Sequence, residues 1–167
     1  MNKRLIQSVA FALCIIWTGL AWGHGDLSRF PDSVQIEQYQ LNIWLNPDDL
    51  ETRNNLAMAY FRSKKLDEAE NELRYVIDKD PQNFNGLDGL GIVLIKKKKY
   101  QEALGYLEKA AKINETDVLL HAHLYVAYEK MNMDAKAESE LKKARALAAG
   151  TDEAELIDKE IELVGGP

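Results

Sequence analysis

The side chains that could do chemistry unaided are few, and their spacing does not favour it. The sequence holds three histidines, His24, His121 and His123, and one cysteine, Cys14. His121 and His123 stand two apart, so on a helix they point about 200° away from each other and cannot share a metal ion. His24 could chelate copper through an N-terminal amine and its imidazole if processing placed it first. No partner histidine stands in an obvious position to complete that site. The 27 Asp and Glu residues are spread along the chain, with no apolar pocket marked out around any pair. There is no glycine-rich phosphate loop, no nucleophile elbow and no Cys/His metal spacing. The sharpest charge run, Lys96-Lys97-Lys98-Lys99, reads as a solvated helix end complementing its own dipole. The expectation is a chain that is not an enzyme, with no catalytic residue, metal, cofactor or small-molecule substrate.

What the residues carry instead is an address followed by a repeat. Met1-Asn2-Lys3-Arg4 is a short basic start, and Leu5 to Leu20 is apolar apart from Gln7, Ser8 and Thr18. Ala21-Trp22-Gly23 then puts small residues at the two positions a signal peptidase reads. Residues 1–23 are expected to be a signal peptide cut after Gly23, giving a periplasmic or secreted product. The alternative is an uncleaved anchor, because residues 5–22 are just long enough to cross a bilayer; no other membrane contact is expected. Cys14 sits between Leu13 and Ile15, which is no lipidation context, so the exported part would have neither disulfide nor thiol nucleophile. Losing Lys3 and Arg4 moves the formal charge of −6 to about −8. That balance argues against nucleic acid, which is bound through clustered Lys and Arg.

Self-similarity organises the rest. Pro47 and Pro81 lie 34 residues apart, in Asn46-Pro47-Asp48 and Asp80-Pro81-Gln82. The same step relates Leu56, Leu90 and Leu124, then Ala69, Ala103 and Ala137, then Leu73, Leu107 and Leu141. Leu56 and Tyr60 are four apart, as are Ala69 and Leu73, so each pair lies on one helical face. Asp49, Asn83 and Asp117 recur at the step as expected N-caps. Asp67 with Glu70 suggests a capping box at the start of a helix.

This pattern resembles the tetratricopeptide repeat (TPR), in which each unit is a pair of antiparallel helices, A and B. The resemblance covers residues 50–83, 84–117 and 118–151 as three repeats and implies an all-α, right-handed α-solenoid of helix-turn-helix units. Ala57 and Gly91 fill the family's small slot in helix A, and Ala69, Ala103 and Ala137 fill that of helix B. Where the family has glycine in the A–B turn this chain has Lys64, Lys98 and Asn132. If those turns need φ > 0, each lysine carries about 1 kcal/mol of strain, whereas Asn tolerates it. Tyr125 stands where Ala57 and Gly91 stand, so the third repeat should pack differently. The family's early aromatic is replaced by Arg53, Leu87 and His121, which gives His121 a packing role. Residues 33–46 read as a lone flanking helix, after a flexible lead over 24–32. Residues 152–164, with Leu156, Ile157, Ile161 and Val164 on one stripe and Thr151 as N-cap, read as a helix capping the open end of the stack.

The resemblance also places a binding surface. The family's inner positions correspond to Asn54, Met58 and Phe61, to Asp88, Ile92 and Ile95, and to Ala122, Val126 and Glu129. Met58, Ile92 and Val126 make an apolar column, widened by Phe61 and Ile95, that suits an apolar or amphipathic segment of a partner protein. Arg62, Lys96 and Lys130 form a parallel basic rim, each in the last turn of a helix A. TPR domains that hold chaperone tails use Lys, Asn and Arg on this face. The matching positions are Asn54, Met58, Gly89, Leu119 and His123, of which only Asn54 fits, so that clamp is absent. The expected function is a protein-interaction scaffold of the cell envelope. The alternative is a self-associating subunit whose groove is filled by a terminal segment of its own or of a second copy.

Overall fold

A computed structural model describes residues 27–166. The expected signal segment, its cleavage after Gly23, Cys14 and His24 lie outside the described residues. A short 3-10 turn, Leu27–Arg29, leads into eight α-helices: α1 (Asp32–Leu45), α2 (Leu50–Arg62), α3 (Leu66–Lys79), α4 (Phe84–Lys96), α5 (Tyr100–Ile113), α6 (Val118–Lys130), α7 (Asp134–Leu147) and α8 (Ala154–Gly165). The helices α2, α4 and α6 begin 34 residues apart, and so do α3, α5 and α7. The sequence step is therefore a structural step.

The same local chemistry sets each boundary. Asp49, Asn83 and Asp117 accept hydrogen bonds from the backbone N–H groups of Thr52, Gly86 and Leu120, which starts the three A helices. Each A helix ends in a Schellman turn. In the first, the Lys64 N–H donates to Phe61 O and the Lys65 N–H to Tyr60 O, and the other two repeat this. The pivot residues take left-handed backbone, with φ of 61° at Lys64, 60° at Lys98 and 55° at Asn132. The B helices lack side-chain caps. The Asp67–Glu70 capping box does not form, because the helix starts at Leu66 behind Lys65 and leaves Asp67 inside its first turn; both carboxylates pair instead with Lys97 of the next repeat.

Packing follows from the small slots. Ala69, Leu73, Ala103 and Leu107 are completely buried where A and B helices meet. The central helix α4 is buried on nearly every side, because α2, α3, α5, α6 and α8 surround it. In the third repeat Tyr125 and Leu141 are only half-buried, where Gly91 and Leu107 are buried, so the large residue in the small slot moves that contact outward. The irregular early slot of helix A is resolved pairwise. Arg53 reaches Glu72 at 2.7 Å and stacks on Tyr75 at 3.8 Å, Leu87 is buried, and His121 Nδ1 meets Glu140 at 2.6 Å.

The last helix departs from expectation. α8 does not close the end of the stack; it packs along α6, reaches α4 and meets α7 mainly through Ile157 near Ala144 and Ala148. Nor does Thr151 cap it. The Thr151 hydroxyl donates to Ala148 O at 2.9 Å and accepts from the Glu153 N–H at 3.3 Å in the connecting turn, and the helix starts three residues on, behind Glu153, without a side-chain cap. The physical reason lies in α7, whose outer surface exposes Lys142, Lys143 and Arg145 and offers little apolar area. The stripe Val118, Ala122 and Val126 on α6 offers much more, and Gly150, at φ 82°, turns the chain back toward it.

Candidate interaction surface

The inner face of the stack is made by α2, α4 and α6, and α8 divides it in two. Over the second and third repeats it is covered. Ile92 is 3% exposed, Ala122 and Val126 are fully buried, and Ile157 and Val164 of α8 are buried against this region. Phe61 and Ile95, expected to widen the groove, are also buried in the core. Glu129 stays exposed and accepts from the Tyr125 hydroxyl at 3.3 Å. The apolar column is real, but its larger part is already occupied.

The basic rim does face this side. Arg62 donates to Asp32 at 2.8 Å and to Gln35 Oε1 at 3.0 Å, which joins α2 to α1. Lys96 Nζ donates to Gly166 O at 3.0 Å, at the end of α8. Burial, helped by the neighbouring charges of Lys64 and Lys130, holds its pKa below the usual lysine range. The rest of the lysine run does more than sit in solvent. Lys97 bridges Asp67 and Glu70, Lys99 also reaches Glu70, and Lys98 is a turn pivot. Burial pushes the Glu70 carboxyl up, but hydrogen bonds from Lys97, Arg74 and Lys99 outweigh it and hold the pKa at about 2.

The centre of the covered half is ionic. His123 Nδ1 lies 2.7 Å from Asp88 Oδ1 on α4, and its Nε2 lies 3.2 Å from Glu160 Oε1 on α8. Burial is the strongest influence and pulls this imidazole's pKa down, but the two carboxylates prevail and raise it to about 10. It is therefore an imidazolium at neutral pH. His121 faces the other way, to Glu140 and Glu115 O.

The open half lies over α1, α2 and the start of α4. A cleft of about 530 Å³ runs between α1 and α2, with Phe30, Tyr39 and Arg62 among its walls. A second, of about 290 Å³, lies between α2 and α4 and is lined by Asn54, Asn85, Asp88 and Gly89. Asn55 and Met58 line both, so the two are continuous. Gly89 keeps the floor low, since a Cβ there would sit 3.0 Å from Leu73 Cδ2 and 3.5 Å from Met58 Sδ. Asn54 is 8% exposed. Its Nδ2 donates at 3.0 Å to Asn83 Oδ1, which also accepts the α4 cap, so the amide orientation is fixed. Asn54 Oδ1 is left buried without a donor among the described residues. In this half the amides of Asn54, Asn55 and Asn85 stand beside apolar walls from Phe30, Pro31, Tyr39, Met58 and Ile92. Asn55 and Asn85 were missed in the sequence. The aligned column Asn55, Gly89 and His123 could have found Asn55, and Leu119, one 34-residue step from Asn85, could have found the other.

A stack of helix pairs whose inner face comes from the first helix of each pair is a protein-interaction solenoid. The chain is a tetratricopeptide repeat protein: residues 50–78 and 84–117 each match a tetratricopeptide repeat model. It is 25% identical over 131 residues to the "BBSome complex member BBS4 homolog" of Drosophila melanogaster, covering 78% of this chain and 27% of the relative. It is 26% identical over 112 residues to "BBSome complex member bbs-4" of Caenorhabditis elegans, covering 67% and 24%. The chain thus spans about a quarter of the length of these curated relatives. Among solved structures, MamA of AMB-1 superposes with a TM-score of 0.60 at 26% identity, over 70% of this chain and 69% of that one. The Yersinia enterocolitica type III secretion translocator chaperone SycD shares the fold, with a TM-score of 0.61 at 22% identity over 70% and 92%.

Proposed function

We propose that this chain is an exported envelope scaffold that holds an extended segment of a partner protein in the open half of its inner face. The observation that carries this reading is the continuous open cleft over α1, α2 and α4, lined by the amides of Asn54, Asn55 and Asn85 around Met58. Asparagine amides both donate and accept, which suits the alternating N–H and C=O groups of an extended backbone. Met58 supplies an adaptable apolar contact in the middle. Export is supported by the basic start, apolar run and small-residue site of residues 1–23; intact mass of the exported protein should show His24 as its first residue, and a first residue at Met1 would refute cleavage.

The test uses a photo-crosslinking residue at Met58 and, as a control, at Lys109 on the outer surface. The protein captured from position 58 should then be purified and its affinity measured directly. Met58→Glu should weaken that affinity by roughly tenfold or more while leaving the fold intact by circular dichroism. Equal affinity of a folded Met58→Glu chain would remove the cleft from the reading.

A further inference from the structure

α8 lies where a ligand of the inner face would lie, and its contacts describe what that face selects. It runs in the same sense as α6, with Ile157 beside Val118 and Ala122 and Gly165 beside Val126. Between these apolar ends Glu160 reaches His123, which Asp88 already holds from the other side. At the far end the Gly166 carbonyl meets Lys96, with the charges of Lys64 and Lys130 close enough to act on it. A lysine group facing the carbonyl end of a helix favours its negative dipole. One buried charge within an apolar contact fixes register and partner more than it adds affinity.

α8 is anchored by Ile157 and Val164. Like the B helices it starts without a side-chain cap, and it joins α7 through a short turn at Gly150. Its outer face leaves Leu156 44% and Leu163 46% exposed. The first two helix pairs are closed by their own cores at Ala69, Leu73, Ala103 and Leu107, while in the third Ile157 of α8 joins Val118, Ala122, Ala144 and Ala148.

We propose that α8 is a replaceable occupant, and that the surface beneath it is a second docking site for an amphipathic helix from a partner protein. That helix carries the α8 pattern: a glutamate with branched apolar residues three before and one and four after it, then a small residue at the carbonyl end. His123 is the residue that reads the glutamate, and Lys96 receives the helix end. This site borders the open cleft at Asp88, which lines the cleft and holds His123, whereas Met58 belongs to the cleft and His123 to the covered site, so changes at those two residues test the sites independently.

The test uses the full chain and a labelled peptide of residues 152–166 as the probe. A Cβ at Gly165 would lie 3.2 Å from Val126 Cγ1, so cysteines at 126 and 165 are within disulfide reach. In a Cys14→Ser background, Val126→Cys with Gly165→Cys locks α8 down on oxidation and frees it on reduction. The reduced chain should bind the peptide and the oxidised chain should not. Separately, Glu160→Gln in the chain should strengthen peptide binding, and Glu160→Gln in the peptide should weaken it, each by roughly tenfold. Met58→Glu should leave peptide binding unchanged. Equal binding by oxidised and reduced chains would overturn the proposal. So would no binding by a folded Glu160→Gln chain, or its conversion to a dimer that ignores the peptide, which would mean that α8 is exchanged between copies.

Discussion

Gly91 of α4 and Leu107 of α5 meet so closely that a Cβ on Gly91 would fall 2.4 Å from Leu107 Cδ2 and 2.5 Å from its Cγ. Leu107 is fully buried and held on its other sides, so it cannot swing clear. Gly91→Ala should therefore destabilise the protein. Overpacking costs about 1–3 kcal/mol, against about 1 kcal/mol recovered from helix propensity. Gly105 gives the opposite case, since no atom lies within 4 Å of its Cβ position in α5. Gly105→Ala should stabilise by about 1 kcal/mol. Urea midpoints of the two variants should move in opposite directions; a shared direction would show that the Gly91 contact relaxes.

The turn pivots invite a substitution between repeats. Lys64 and Lys98 hold left-handed backbone where the third repeat uses Asn132. Asn adopts that region more readily than lysine and adds none of glycine's freedom to the unfolded chain. Lys64→Asn and Lys98→Asn should each gain up to about 1 kcal/mol, and Asn132→Lys should lose a similar amount. Thermal melting checks this, and an unchanged midpoint in all three would mean the turns carry no strain.

The pH dependence should have two limbs of different origin. The His123 pKa is raised from an ordinary 6.5 to about 10, so its contribution to stability is full below about pH 6.5 and lost as pH rises through about 10. Glu70 is lowered from 4.5 to about 2, so its contribution is present above about pH 4.5 and lost as pH falls toward 2. Denaturation midpoints across pH should fall less steeply on the alkaline side in His123→Gln, and less steeply on the acid side in Glu70→Gln. A His123→Gln curve parallel to the wild type between pH 7 and 10 would contradict the ionic reading of that residue.

The repeat was legible because its signals are local. The caps Asp49, Asn83 and Asp117, the pivots Lys64, Lys98 and Asn132, and the alanine columns all act within a few residues of themselves. The fate of α8 was not, because an apolar stripe says only that a helix needs a partner. Two surfaces competed for it, and the winner was decided by the charge of α7, far from the stripe itself. One clue was present: Glu160 interrupts the stripe between Ile157 and Val164, which a helix merely closing the end of a stack does not need. His123 was hidden differently. Its distance from His121 argued against a metal, but its partners, Asp88 and Glu160, come from helices on either side in the chain. Asn54 matched a family position, yet its unpaired oxygen follows from the cap at Asn83 and could emerge only with the coordinates.

A linear stack touches only its neighbours and so comes apart from its ends, one layer at a time. Here the final helix doubles back and ties Lys96 to Gly166, residues 70 apart in sequence. The third repeat cannot peel away until that clasp opens, and opening it also uncovers the second. The end of α8, where fraying would begin in a simple array, is thereby bound to the middle of the stack.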